Sequence, residues 1–203
     1  MSRAAVDPDD CNAGPAERMH LVHPSAAMLP SFIDALEKGW SPRNVDSERA
    51  RLATLARIEA GREAFLAEFV DGATDGPPIE LPDGRTVPRL PDLVRWMWDG
   101  EFCGVINLRW QEGTDALPPH TLGHVGYAVV PWKRGRGYAS AALRGILPLA
   151  RSVGLRRIEL TTTADNVASI RTILNAGGRH VRDMTDVVHH APDEIVGLYE
   201  IEL

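Results

Sequence analysis

Cysteine is scarce, with Cys11 and Cys103 the only two in 203 residues. One lies in a polar N-terminal stretch and the other in an apolar run, which excludes a disulfide-stapled fold and suits a reducing compartment. Long hydrophobic runs are missing as well. No stretch approaches the roughly 20 apolar residues of a membrane-spanning helix. Met1 to Asp10 holds three aspartates and no apolar segment, so no signal peptide is read there. Together these absences point to a cytoplasmic protein without a membrane partner. Lysine is nearly absent, at positions 38 and 133 alone, and arginine carries the basic charge. The formal net charge of −6 argues against nucleic acid as the main partner, because neutralising phosphates takes a clustered basic surface. Clusters with metal-ligand spacing are lacking too. His189-His190 has no partners nearby in sequence, and no metal is expected.

What is present suits one globular domain. Residues 1–18 are rich in Ala, Pro, Asp and Gly without periodicity and read as a disordered tail before a single domain at 19–203. Met19–His23 reads as an edge strand. Ser25 can cap a helix with Leu29, Phe32, Ile33, Leu36 and Trp40 at helical spacing, closed at Gly39. Asp46 or Ser47 can cap a second, with Phe65, Leu66 and Phe69 continuing beyond Gly61. Both faces read as core. Residues 71–91 form a long Gly- and Pro-rich loop with a tight turn at Asp83-Gly84. Leu93–Trp98 and Glu101–Trp110 flank Asp99-Gly100, a strong hairpin signal. Arg109, near the end of the second strand, reads first as a surface salt bridge and second as a partner for a substrate carboxylate. A loop at 111–121 leads to a strand at Leu122–Val130.

The stretch from Gly126 to Leu143 organises the rest. An apolar run ends at Pro131, a basic glycine-rich loop follows, and the pattern then switches to helical period over Tyr138–Val153, with a bend expected at Pro148. Glycines at 135 and 137 permit a tight turn with outward N–H groups. The helix start adds unpaired amides and a partial positive charge, so a phosphate is a natural guest. Lys133, Arg134 and Arg136 add full charge. No Gly-Lys-Ser/Thr follows, which excludes a Walker loop, and no third glycine with a later acid completes a dinucleotide fingerprint. Arg156–Thr163 reads as a strand parallel to the one before the cradle, Asp165-Asn166 starts a short helix stopped by Gly177-Gly178, and Arg179–His189 and Ile195–Leu203 read as antiparallel strands joined by a turn at Pro192-Asp193.

Arg134-Gly135-Arg136-Gly137-Tyr138-Ala139 resembles the Arg/Gln-x-x-Gly-x-Gly/Ala signature of the GNAT superfamily of acyl-CoA-dependent N-acetyltransferases. Asn166-Val167-Ala168-Ser169 with Gly177-Gly178 is similar to a second family segment. The order of elements also matches, over residues 19–203. The resemblance implies an α/β fold of α+β type, a mixed antiparallel and parallel sheet of about seven strands flanked by about four helices. It implies that residues 134–139 hold the pyrophosphate of acetyl-CoA, with Asn166 and Ser169 near its pantetheine arm. It also implies that the strand before the cradle splays from its neighbour, so that backbone groups of Ala128, Val129 and Val130 bind pantetheine and polarise the thioester. The reaction implied is direct attack by an amine acceptor on acetyl-CoA in a ternary complex.

A base must take the amine's proton. The acidic residue common before the splay in such enzymes is missing, and His124, then His120, are the candidates, with Glu101 a weaker rival. The family's helix tyrosine is replaced by Ile173, which leaves Tyr127, Tyr199 or no acid at all for the thiolate. These departures permit a second reading, a non-catalytic acyl-CoA-binding module. A nucleic-acid-binding α/β domain ranks third. The last strands offer a route to a homodimer.

Overall fold

The computed structural model describes residues 14, 16, 18–43, 46–81, 84–186 and 191–203. Among these lie five α-helices and nine strands. Most of the expected tail, the Asp83 half of the expected turn, and His189-His190 fall outside the described residues.

Strands β1 (His20–Val22), β2 (Ile79–Glu80), β3 (Thr86–Val87), β4 (Asp92–Trp98), β5 (Phe102–Arg109) and β6 (Val125–Val129) precede β7 (Arg157–Thr163), β8 (Arg179–Asp186) and β9 (Ala191–Glu202). The main sheet runs β1-β4-β5-β6, and a separate sheet runs β7-β9-β8. Every ladder is antiparallel. The small β2–β3 pair lies inside the stretch read as a loop. Pro192 and Asp193 fall within β9 rather than in a turn, so the β8–β9 connection is earlier than the sequence suggests.

Helices α1 (Leu29–Glu37), α2 (Ser47–Ala60) and α3 (Arg62–Ala67) cover one face of the main sheet. Gly61 divides the expected second helix in two, because its φ of 174° and ψ of 108° leave helical space. Beneath them Phe32 stacks on Trp96 with ring centroids 4.5 Å apart and meets Phe102 edge-on at 5.1 Å. Such pairs add about 1 kcal/mol each to the burial itself. Helices α4 (Tyr138–Ser152) and α5 (Val167–Asn175) pack over the opposite face, where Ile106, Leu108, Leu143, Ile146 and Ile158 are buried. Helix α4 continues through Pro148. No helix among the described residues is long and apolar enough to cross a membrane.

The two sheets part between β6 and β7. Their backbones join where the His124 N–H donates to the Glu159 oxygen at 2.7 Å, just before β6 begins. Beyond that point the strands separate toward the N-terminus of α4, which opens an edge of β6.

Candidate coenzyme cradle and acceptor cleft

The loop leaving β6 makes a 3-10 turn over Pro131–Lys133, extends at Arg134, and then places Gly135 at φ +74° and Gly137 at φ +83°. Side chains avoid such angles, so both positions require glycine or strain. The first helical bond of α4 runs from the Ala141 amide to the Gly137 oxygen, 3.0 Å. The amides of residues 135–140 donate to no protein acceptor among the described residues. Six donors at a helix start, with exposed Arg134 and Arg136 beside them, make an anion cradle. Ala16 borders it: a Cβ on Gly137 would stand 3.2 Å from that of Ala16.

Lys133 does not join this cradle. Its ammonium is buried, 3% exposed, and binds Asp99 at 2.7 Å and Glu101 at 2.9 Å, with the Cys103 thiol at 3.4 Å. The Tyr138 hydroxyl donates to the other Asp99 oxygen at 2.5 Å, so this side chain too faces inward and offers the cradle its amide only. Burial opposes ionisation of Asp99, but the Lys133 and Tyr138 hydrogen bonds outweigh it and hold the carboxyl at about 2. Burial likewise opposes the charge on Lys133, and its carboxylate partners raise it above the ordinary lysine value. The hairpin turn at Asp99 thus anchors the loop from below.

Along β6 the backbone groups alternate between neighbours. The Val130 amide donates to the Cys103 oxygen at 2.9 Å, and Ala128 pairs with Val105 in the same ladder. Those two residues therefore face β5, while Tyr127 and Val129 face the open edge. Arg134 Nε donates to the Val129 oxygen at 3.2 Å, folding this side chain back over the strand end. Across the opening, Asn166 caps α5 by accepting from the Ser169 amide at 3.1 Å, and the Ser169 hydroxyl meets the Tyr127 hydroxyl at 2.6 Å. Asn166, Ser169 and Tyr127 are thereby brought together at the far wall. Ile173 is buried in the core.

His124 and His120 stand apart from the cradle. His124 is fully buried, and its Nδ1 accepts from the Glu159 amide at 2.9 Å. The proton therefore sits on Nε2, which is buried without a partner among the described residues. Burial pushes this imidazole down to about 4, against the opposing influence of the Asp115 charge. As placed, the ring joins the two sheets. His120 lies in the turn following Pro118.

On the other face of β6, a cleft of about 270 Å³ opens between the α1–α2 connection and the strand end, lined by Trp40, Ser41, Arg43, Ser47, Ala128 and Arg134. Residue periodicity marks only Trp40 here. Arg109 is largely buried, opposite Asp92 in the β4–β5 ladder, and forms no ion pair within 4 Å among the described residues. The expected surface salt bridge is replaced by an inward guanidinium.

A model of the acetyltransferase (GNAT) family matches residues 58–177, more than half of the chain. The chain belongs to the GNAT acetyltransferase family. The GNAT architecture recurs in solved structures of low sequence identity. RimL, a ribosomal L7/L12 alpha-N-protein acetyltransferase solved with coenzyme A, superposes with a TM-score of 0.59 at 14% identity, over 91% of this chain and 94% of that one. The microcin C7 self-immunity acetyltransferase MccE, solved with acetyl-CoA and AMP, gives 0.58 at 12% identity, over 93% and 94%. RimJ of Mycobacterium smegmatis, solved with CoA-disulfide, gives 0.58 at 19% identity, over 91% and 81%. A search of curated protein sequences returned no match.

Proposed function

We propose that this GNAT protein transfers an acetyl group from acetyl-CoA to an amine by direct attack within a ternary complex. The observation that carries the reading is the juxtaposition of free amides at 135–140 with the open edge of β6 at Tyr127 and Val129. The pyrophosphate sits on those amides, flanked by Arg134 and Arg136. Pantetheine extends along the opened edge toward Tyr127, Asn166 and Ser169. The Val129 N–H points at the thioester oxygen, and one such donor is worth about 3 kcal/mol to the transition state. The amine enters from the cleft beside Ala128, forms the new C–N bond as the C–S bond breaks, and loses its proton to water. A histidine base is not needed in this scheme, because the His124 lone pair is already engaged by Glu159. The Tyr127 hydroxyl is the nearest side-chain proton donor on β6 for the departing thiolate.

Calorimetric titration with acetyl-CoA tests the first half. Wild type should bind, and Gly135→Asp and Gly137→Asp should lose binding, since each puts a carboxylate into the cradle. A Cβ at Gly135 meets nothing within 4 Å, so that variant tests charge with the least steric disturbance. Thiol release in the presence of amines tests the second half. Tight binding without thiol release from any amine would assign the protein to the acyl-CoA-binding reading, which the replacement of the helix tyrosine by Ile173 permits.

A further inference from the structure

The polar residues that line the cleft beside Ala128 are two arginines, two serines and a tryptophan. Arg43, Arg134, Ser41 and Ser47 line it, and no aspartate or glutamate is among its described lining residues. The Nε1 of Trp40, a lining residue only 3% exposed, is buried without an acceptor among the described residues. The charge continues down the sheet. Alternation places Ala128, Gly126, Asn107 and Arg109 on one face, and the Arg109 Nη2 reaches back to 3.6 Å from where a Cβ on Gly126 would stand. The Arg109 Nε is likewise buried without an acceptor among the described residues. Burial lowers the pKa of Arg109, Asp92 opposes that, and the Arg43 charge lowers it by a smaller amount.

We infer that the acceptor amine carries an anionic oxygen group, a carboxylate or a phosphate, which docks against Arg43 in the cleft, with Arg109 farther along the same sheet face, while the amine faces the Ala128–Val129 end of β6. The inference rests on the proposed acetyl transfer. A polyamine would bring further positive charge among guanidinium groups and be repelled, whereas an amine with its own anion is electrically matched. The same arginines help the chemistry. Like charges nearby disfavour the ammonium form, so a bound amine sheds its proton more readily in a site without a carboxylate base.

The experiment has two arms, both preceded by titration of wild type with acetyl-CoA. In the first, protein saturated with CoA is titrated with inorganic phosphate and, separately, with malonate, for wild type and Arg43→Gln. Millimolar binding to wild type, weakened at least tenfold in the variant, is expected. In the second, thiol release is compared for β-alanine against propylamine, for phosphoethanolamine against ethanolamine, and for spermidine. The anionic member of a pair should lead by at least tenfold in kcat/KM, and Arg43→Gln should collapse that ratio. Which pair shows the preference separates carboxylate from phosphate. Equal anion binding by wild type and variant overturns the inference, as does faster turnover of spermidine or of the partners that lack the anionic group. Failure of acetyl-CoA to bind, with Arg43-dependent anion binding intact, removes the transfer reading and leaves the anion site.

Discussion

A protein carrying His124→Gln should lose most of the acid sensitivity that wild type shows between pH 6.5 and 4. The ring is wholly buried between the sheets, and that burial holds its pKa at about 4 rather than the ordinary 6.5. The unfolded chain accepts a proton near pH 6.5, and the folded one refuses it until about pH 4. A depressed folded pKa means a contribution fully present above pH 6.5 and lost as the pH falls through 4. The difference amounts to about 3 kcal/mol, since every tenfold change in proton affinity is worth about 1.4 kcal/mol. Glutamine offers an acceptor for the Glu159 amide yet cannot ionise, so its cost at neutral pH should stay near 1 kcal/mol. Urea denaturation at pH 7, 6, 5 and 4 reads the effect directly: between the end points wild type should lose about 3 kcal/mol more than the variant. Parallel pH dependences would refute a neutral, sheet-joining ring. The pH–rate profile for thiol release gives an independent reading. Wild type and variant should rise together from pH 6 to 9, following the amine's own ionisation, and a profile flattened by the substitution would restore His124 as the base.

Asp99→Asn leaves the buried Lys133 ammonium with the exposed Glu101 carboxylate, and breaking a buried pair in this way costs about 3 kcal/mol at pH 7 by chemical denaturation. Because Asp99 is held at about 2, its contribution is present above pH 4 and lost as the pH falls through 2, so the gap between wild type and variant should narrow over that window. A gap below about 0.5 kcal/mol at neutral pH, on the order of an ordinary surface substitution, counts against the anchor. Gly104→Ala should destabilise by about 3 kcal/mol or prevent folding, because the glycine sits at φ +151° and a Cβ would lie 2.3 Å from the Ala128 oxygen. A melting temperature close to wild type would mean that β6 yields at this point.

The features legible in the sequence are those fixed by neighbours in the chain. Asp99-Gly100 makes a hairpin and Gly137 precedes α4, because turns and helix starts depend on a few adjacent φ/ψ values. Asn166 caps α5 as its residue type suggests. Features set across the fold escape such a reading. Lys133 looks like one of three phosphate-facing cations, and only the arrival of Asp99 from 34 residues upstream turns it inward. His124 sits before an apolar strand like any solvent-side histidine until Glu159 takes its lone pair. Ala128 and Val130 lie at the end of β6 beside the opening, but strand parity depends on the ladder with β5, and that ladder directs their amides away from the opening. Arg43 carries no signal, since a single arginine in a connection between helices acquires meaning only beside Arg134 and Arg109.

The inward turn of Lys133 bears on how the cradle gains its affinity. On the proposed coenzyme reading, with that cation committed to Asp99 and Glu101, the cations that the loop itself offers a pyrophosphate are Arg134, partly held by the Val129 oxygen, and Arg136. The reading then gives a large share of the attraction to amides fixed by Gly135, Gly137 and the first turn of α4. Amide donors bring no mobile counterions, whereas exposed side-chain charges are screened within about 10 Å at 0.1 M salt. The buried pair supplies the rigidity on which such a site depends. It pins the loop between the hairpin turn and Tyr138, so that the amides are already aimed when the anion arrives and little ordering entropy is lost on binding.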